Sequence, residues 1–388
     1  MTVADEDRHA WIEEGTYAVA PGVHRIPLPL PTDGLRAVNV YAIEAADSRL
    51  VLIDSGWALA NARDQLERSL AALGAGLPDV RQFLVTHMHR DHYTQAIEIR
   101  RLFGTPVWLG EGERPTMDGL LSPEFRPLRA QLAILRAAGA GTVADSLAAM
   151  RPPELIQPPA PGQPPAAGQT ADWQAAIGHA ARPGPAFAAA LGYEQPDEWI
   201  GPGQVFDLGT RTLTAVATPG HTRGHVVFAD YEAGLLFAGD HVLPHITPSI
   251  GFQDVPSAQP LGEYLQSLNV VRRMPDLRLL PAHGPVSAST HARIDELTEH
   301  HSARLAQMAA VLSGGDCTAY EVACAIGWTR RQRKLTDLDP MNQMLAVTET
   351  VYHLDLLVVQ ARAVSHTGED GVRRYQLATA SLDEEDPE

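Results

Sequence analysis

Cysteine is nearly absent from this 388-residue chain. Cys317 and Cys324 are the only two, which excludes a disulfide framework and a cysteine-rich zinc module. The pair is expected to stay reduced. Lysine is scarcer still, with Lys334 standing among 29 arginines; the skew reads as coding bias. Positive charge is short overall. Thirty Lys and Arg face 47 Asp and Glu, a formal net charge of −17, which argues against tight non-specific binding to a polyanion. No apolar run approaches the ~18 residues of a membrane span. Residues 1–15 are acidic and polar, without the apolar stretch of a secretory leader. These absences point to a cytoplasmic protein with no membrane partner. The 45% hydrophobic and 20% charged residues fit a globular chain of two to three domains.

The densest chemistry is His87-Met88-His89-Arg90-Asp91-His92, directly after the apolar run Phe83-Leu84-Val85. So tight a cluster cannot share one face of a regular strand or helix. It predicts a loop at a strand's end, bent to turn all four side chains toward one point. Imidazole and carboxylate are ligands for a borderline divalent cation such as zinc.

Around it the chain alternates. Val23–Leu28, Asn39–Ile43 and Leu50–Asp54 read as strands punctuated by Gly and Asp. Ala60–Leu73 carries apolar residues at helical spacing and stops at Gly74. A helix is expected from Tyr93 to Phe103 and a strand at Val107–Leu109, an alternation that indicates α/β layering. From Arg114 to Trp199 it breaks. Leu128–Met150 reads as helix, Arg151–Gly168 as a proline-rich linker, and Ala171–Leu191 as helix-compatible. This block is expected to be an insertion acting as a lid. Beyond Gly203, strands stop where a ligand-type residue follows: Pro219-Gly220-His221, Gly239-Asp240 and Ala282-His283-Gly284. Strand ends gather at one rim, so these side chains can converge with the His87 cluster.

In order and local setting, these motifs resemble the metallo-β-lactamase superfamily. The resemblance implies an α/β fold, a four-layered αβ/βα sandwich over residues 1–290, with the helical and proline-rich insertion at 114–199. It assigns His87, His89 and His221 to one cation, Asp91, His92 and His283 to a second, and Asp240 to both. It places Asp54 just behind the metals, orienting a ligand or the attacking water. Two zinc ions per chain, with iron or manganese as substitutes, would hold a bridging hydroxide as nucleophile. Asp91 or Asp240 would relay the proton to the leaving group. His225 and His241, beside ligands, read equally as supporting groups or as ordinary polar neighbours.

After His283, helices are expected over Thr290–Leu312, Cys317–Trp328 and Met341–Leu357, then a hairpin over Val364–Leu377. Residues 291–382 look like a small winged-helix module, similar to the C-terminal part of lactamase-beta-2-like members, and 383–388 form an acidic tail. Arg330, Arg331, Arg333 and Lys334 make a basic run. Acidic residues outnumber basic ones over the region, so it reads as a packing or homo-oligomer surface, not a duplex-binding one. The expected activity is hydrolysis of an acyl ester, thioester or lactone of a small molecule, as in glyoxalase-II-like members. The alternative is phosphodiester hydrolysis, as in the lactamase-beta-2-like endoribonucleases. A β-lactamase proper is disfavoured, because those commonly lack the aspartate at the position of Asp91.

Overall fold

Short apolar runs separated by glycine-bearing turns build two sheets. In this computed structural model, residues 7–31, 35–126, 128–149 and 192–378 are described. One sheet has seven strands in chain order: β1 (Tyr17–Ala20), β2 (Val23–Pro29), β3 (Ala37–Glu44), β4 (Leu50–Ile53), β5 (Val80–Val85), β6 (Val107–Gly110) and β7 (Glu198–Ile200). It is antiparallel from β1 to β4 and parallel from β4 to β7. The second sheet draws on β8 (Val205–Asp207), β9 (Thr212–Ala217), β10 (Val226–Asp230), β11 (Leu235–Gly239) and β12 (Arg278–Pro281), in the order β12-β11-β10-β9-β8. Only the β11–β12 pair is parallel.

The two sheets pack face to face. Tyr41, Ile43, Val51, Ile53 and Leu84 from one meet Leu213, Val226, Phe228, Phe237 and Leu280 from the other. The opposite face of the seven-stranded sheet, with Val40, Leu52, Phe83, Val85 and Leu109, buries against Leu66 and Leu70 of helix Ala60–Ala71 and Tyr93, Ala96 and Ile97 of helix Arg90–Phe103. On the second sheet's outer side, Val227, Ala229, Leu236 and Leu279 are fully buried, and helix Pro260–Arg272 buries Leu261, Tyr264 and Leu268. Strands covered on both faces need continuous apolar runs, which explains Leu-Val-Leu-Ile in β4 and Leu-Leu-Phe-Ala in β11. This is the expected α/β sandwich.

The helix after the histidine cluster starts earlier than its apolar spacing indicated, at Arg90 instead of Tyr93. His89 is its N-cap, so Asp91 and His92 lie in the first helical turn and not in a loop. A carboxylate there is favoured by the exposed amides of the helix start. Gly104, at φ 74°, closes the helix in the left-handed conformation.

The chain divides into two compact units, Met1–Leu128 with Met150–Leu297, and Arg129–Ala149 with Thr298–Glu388. The boundary expected at 290 therefore falls inside the continuous helix Thr290–Leu312. Within the stretch 114–199, Arg129–Ala149 belongs to the second unit. Gly139, at φ 81°, splits the helix expected over Leu128–Met150 into Arg129–Ala137 and Gly141–Ala149. Both pack on helix Pro340–Val359, and the Tyr320 amide donates to the Ala138 carbonyl at 3.0 Å. Helical periodicity identifies an apolar face but not its partner, and here the partner lies far downstream. Arg151–Gly168, Ala171–Leu191 and the tail 383–388 lie outside the described residues.

In the second unit β13 (Cys317–Thr318), β14 (Ala363–Thr367) and β15 (Arg373–Leu377) form a sheet in the order β13-β15-β14. The helix expected over Cys317–Trp328 is shorter, Ala319–Ala325, because Thr318 and Glu321 close a capping box at its start. Among the described residues no helix is long and apolar enough to cross a membrane.

Candidate metal centre

Strand ends deliver the candidate ligands. Thr86, His87 and His89 follow β5, and Asp91 and His92 occupy the next helical turn. His221 sits between β9 and β10, Asp240 follows β11, and His283 follows β12. The structure brings all seven proposed ligands together. Their donor atoms form three overlapping groups: His87 with His89 and His221, His87 with His92 and Asp240, and Asp91 with His92 and His283.

In the first group, His89 Nδ1 lies 3.0 Å from His87 Nε2 and 3.0 Å from His221 Nε2, and the latter two are 3.3 Å apart. Their outer nitrogens are all engaged. His221 Nδ1 donates to the Ser249 carbonyl at 2.6 Å and His89 Nε2 to the Phe252 carbonyl at 3.1 Å. Thr86 Oγ1 donates to Asp54 and so accepts from His87 Nδ1 at 3.1 Å. A neutral imidazole carries one N–H, so three lone pairs point inward at one another. A cation between them would turn that repulsion into coordination. Tetrahedral zinc with Zn–N of about 2.0–2.1 Å would space its nitrogens about 3.3 Å apart.

The second group mixes charge. Asp91 Oδ2 is 3.5 Å from His92 Nε2 and 3.3 Å from His283 Nε2. Asp240 Oδ1 lies 3.6 and 3.4 Å from the same two nitrogens, while its Oδ2 faces His221 Nε2 at 3.5 Å. The two oxygens of Asp240 thus address different groups. His283 Nδ1 donates to the Ala37 carbonyl at 2.8 Å, and His92 Nδ1 to Asp54 Oδ2 at 2.8 Å. The fixed outer partners set each ring's tautomer and aim, as at built metal sites. Nε2 of His92, Nε2 of His283 and Oδ1 of Asp240 are buried with no hydrogen-bond partner, which fits atoms reserved for an ion.

The electrostatics divide in the same way. Burial, with repulsion from neighbouring imidazoles, holds His87 well below the ordinary histidine range, and burial brings His89 down to about 4. Burial also opposes a charged His92, but Asp91, Asp54 and Asp240 outweigh it and lift the ring to about 10. His283 is raised against its burial by Asp240 and Asp91. The carboxylate side of the centre therefore demands positive charge, which a divalent cation supplies. Both tests show that the residues fit metal.

Asp54 stands behind the ligands. Beyond its bond from His92, it accepts from the Thr86 amide at 2.8 Å and from Thr86 Oγ1 at 2.9 and 3.0 Å. His225 also supports the centre: its Nδ1 meets Thr218 Oγ1 at 2.8 Å and its Nε2 accepts from the Asp240 amide at 3.1 Å. It is fully buried and stacked on His87. His241 points instead toward Tyr264, with ring centroids 5.4 Å apart.

Two supporting residues escaped the sequence reading. Asn39 on β3 donates its Nδ2 to the Pro281 and Gly284 carbonyls at 3.0 and 2.9 Å, gripping the loop that carries His283. Glu113, in the turn Glu111–Glu113 after β6, is wholly buried and accepts from the Thr222 hydroxyl. Neither residue type is distinctive alone. For Glu113 the one available signal was the spacing Gly110-x-Gly112 at a strand end.

The fold and donor set define a class, and sequence comparison agrees. The family model of the metallo-beta-lactamase superfamily matches residues 33–283, and the chain belongs to that superfamily, whose members are generally metal-dependent hydrolases. It is similar to the lactamase-like protein nscB of Aspergillus fumigatus, 34% identical over 110 residues, covering 28% of this chain and 31% of that protein. The nscB protein of Arthroderma otae is 33% identical over 132 residues, 33% of this chain and 36% of that one. The chain thus spans about a third of the length of the curated relatives it matches. Among solved structures, a metallo-beta-lactamase family protein from Thermus thermophilus matches at TM-score 0.69 and 25% identity, covering 93% of this chain and all of that one. A beta-lactamase domain protein from Burkholderia ambifaria gives TM-score 0.69 at 26% identity, covering 94% and 93%.

Proposed function

We propose that this hydrolase holds two divalent cations, zinc by preference and iron or manganese as substitutes, and cleaves an acyl ester, thioester or lactone of a small molecule. The observation that carries the two-ion reading is the divided carboxylate of Asp240, with one oxygen toward His221 and the other toward His92 and His283. When bound, such ions supply Lewis acidity toward a substrate oxygen and make water acidic enough to serve as nucleophile near neutral pH.

The chain's own residues do the rest. His87, His89 and His221 present neutral nitrogens in fixed tautomers. Asp91, Asp240, His92 and His283 form the charged side. Asp54 locks the His92 ring and Thr86, so its carboxylate is committed to positioning. Side-chain exposure separates the carboxylates as proton carriers: Asp91 is 18% exposed, Asp240 10% and Asp54 2%. Asp91 is therefore assigned the transfer of a proton to the leaving group.

A small substrate in place of a nucleic acid is supported by the net charge of −17. The C-terminal sheet and helices are read as winged-helix-like. Helix Pro340–Val359, which such a module would present to a duplex, is packed by Arg129–Ala137 and Gly141–Ala149. A cytoplasmic setting is supported by the two free cysteines. The test is a parallel assay of the zinc-loaded protein on an acyl thioester, an aryl ester and bis-p-nitrophenyl phosphate. Faster cleavage of the acyl compounds supports the proposal. Preference for the phosphodiester, weakening as salt is added, overturns it.

A further inference from the structure

The end of β6 meets the loop of His221 backbone to backbone. A Cβ added at Gly110 would lie 2.0 Å from the Gly224 carbonyl oxygen, and one at Gly112 would lie 2.7 Å from the Arg223 oxygen and 2.8 Å from Gly224 Cα. From the other side, a Cβ at Gly224 would fall 2.0 Å from the Glu113 amide nitrogen. Three glycines thus allow a contact that no other residue permits. It delivers one ionisable side chain, Glu113, into a wholly buried position between the two loops that carry the first cation's ligands. Its Oε1 accepts from Thr222 Oγ1, next to His221. Its other oxygen, Oε2, is buried with no hydrogen-bond partner. Burying a carboxyl is costly unless its bonds are made, and burial lifts this one to about 7 against the bond from Thr222. An apolar side chain would fill the space at less cost, so the carboxyl's presence is explained by its hold on Thr222.

We propose that Glu113 is a positioning residue for the metal centre, fixing the His221 loop through Thr222 and so setting how tightly the cation held by His221 is bound. This rests on the two-ion reading above. Glu113 does not reach the inward nitrogens. It acts through Thr222.

The test is zinc binding by the metal-free full-length protein, followed by competition with a chromophoric chelator, for wild type, Glu113→Gln, Glu113→Ala and Thr222→Val. Gln keeps an acceptor for Thr222 but replaces the charge-capable carboxyl with a neutral amide, weakening that bond. The expected loss of affinity at one of the two sites is on the order of 10-fold for Gln and for Thr222→Val, and 10–100-fold for Ala. Thermal unfolding of the metal-free forms separates positioning from simple stability, because the affinity losses are expected without a matching fall in unfolding temperature. Variants that bind both ions as tightly as wild type overturn the inference, as does affinity loss that only tracks unfolding. Should Glu113→Ala not fold, Gln and Thr222→Val decide the matter. A wild-type chain that binds no zinc overturns the two-ion reading and this inference with it, whereas unaltered variants beside a two-zinc wild type overturn this inference alone.

Discussion

The Nδ1–H of His92 donates to Asp54 Oδ2 at 2.8 Å while the opposite nitrogen faces Asp91 and Asp240 at 3.5 and 3.6 Å. One buried carboxylate therefore fixes the ring that faces both Asp91 and Asp240. Asp54 has φ 61°, a conformation that Asn tolerates well. Asp54→Asn should keep the backbone yet turn an amide against the N–H donors of Thr86 or His92. The expected result is a 10–100-fold loss of zinc affinity, read by chelator competition, with the far-ultraviolet circular dichroism unchanged.

Asp240→Ala removes the carboxylate shared by both groups. Metal content should drop from two ions per chain to one or fewer, and turnover should fall below ~1% of wild type. The protein should remain folded, with its far-ultraviolet circular dichroism unchanged. Inductively coupled plasma analysis alongside kinetics checks both halves.

How the sequence displays this centre follows from its construction. His87, His221, Asp240 and His283 each lie in the turn just after a strand, so local patterning shows both the strand and the ligand. Ligand order along the chain was legible for the same reason. The supporting contacts were not. Asn39 and His283 meet because β3 lies beside the end of β12, a relation between segments that share no local pattern. For Arg129–Ala149 the apolar face was visible, but its partner helix Pro340–Val359 was not. The first-turn position of Asp91 and His92 was hidden because ligand residues carry no helical apolar spacing.

Gly220 shows how closely the fold approaches its ligands. It has φ 136°, and a Cβ there would come within 2.4–2.6 Å of Tyr264 Cβ, Cα and N. Gly220→Ala should destabilise the protein by roughly 2–4 kcal/mol and shift His221, lowering activity further than stability explains. Gly74→Ala, at φ 75° with nothing within 4 Å of the added carbon, should cost only about 1–2 kcal/mol and leave kcat unchanged. Chemical denaturation of both variants makes the comparison.

The second unit carries its own pH dependence. His353 Nδ1 donates to the Glu349 carbonyl at 2.7 Å, leaving its Nε2 to accept from His301 Nδ1 at 3.1 Å. Burial holds His353 down at about 4 and His301 well below the ordinary range, and nearby Arg304 lowers both. Both rings are neutral when folded, whereas an unfolded histidine titrates near 6.5. The folded state binds fewer protons, so its stability is complete above about pH 6.5 and falls as pH drops toward 4. For His353 the change amounts to about 3 kcal/mol. Denaturant unfolding of the second unit between pH 7 and pH 4 should show the decline, and His353→Gln should flatten it. A slope unaltered by that substitution would place the pH dependence elsewhere.

Native mass spectrometry of the full-length protein after zinc loading addresses the centre itself most directly. Two zinc ions per wild-type chain are predicted, with one retained when His89 or His283 is replaced by alanine. A wild-type chain carrying no bound zinc, or two ions that persist after both histidines are removed together, would contradict the account.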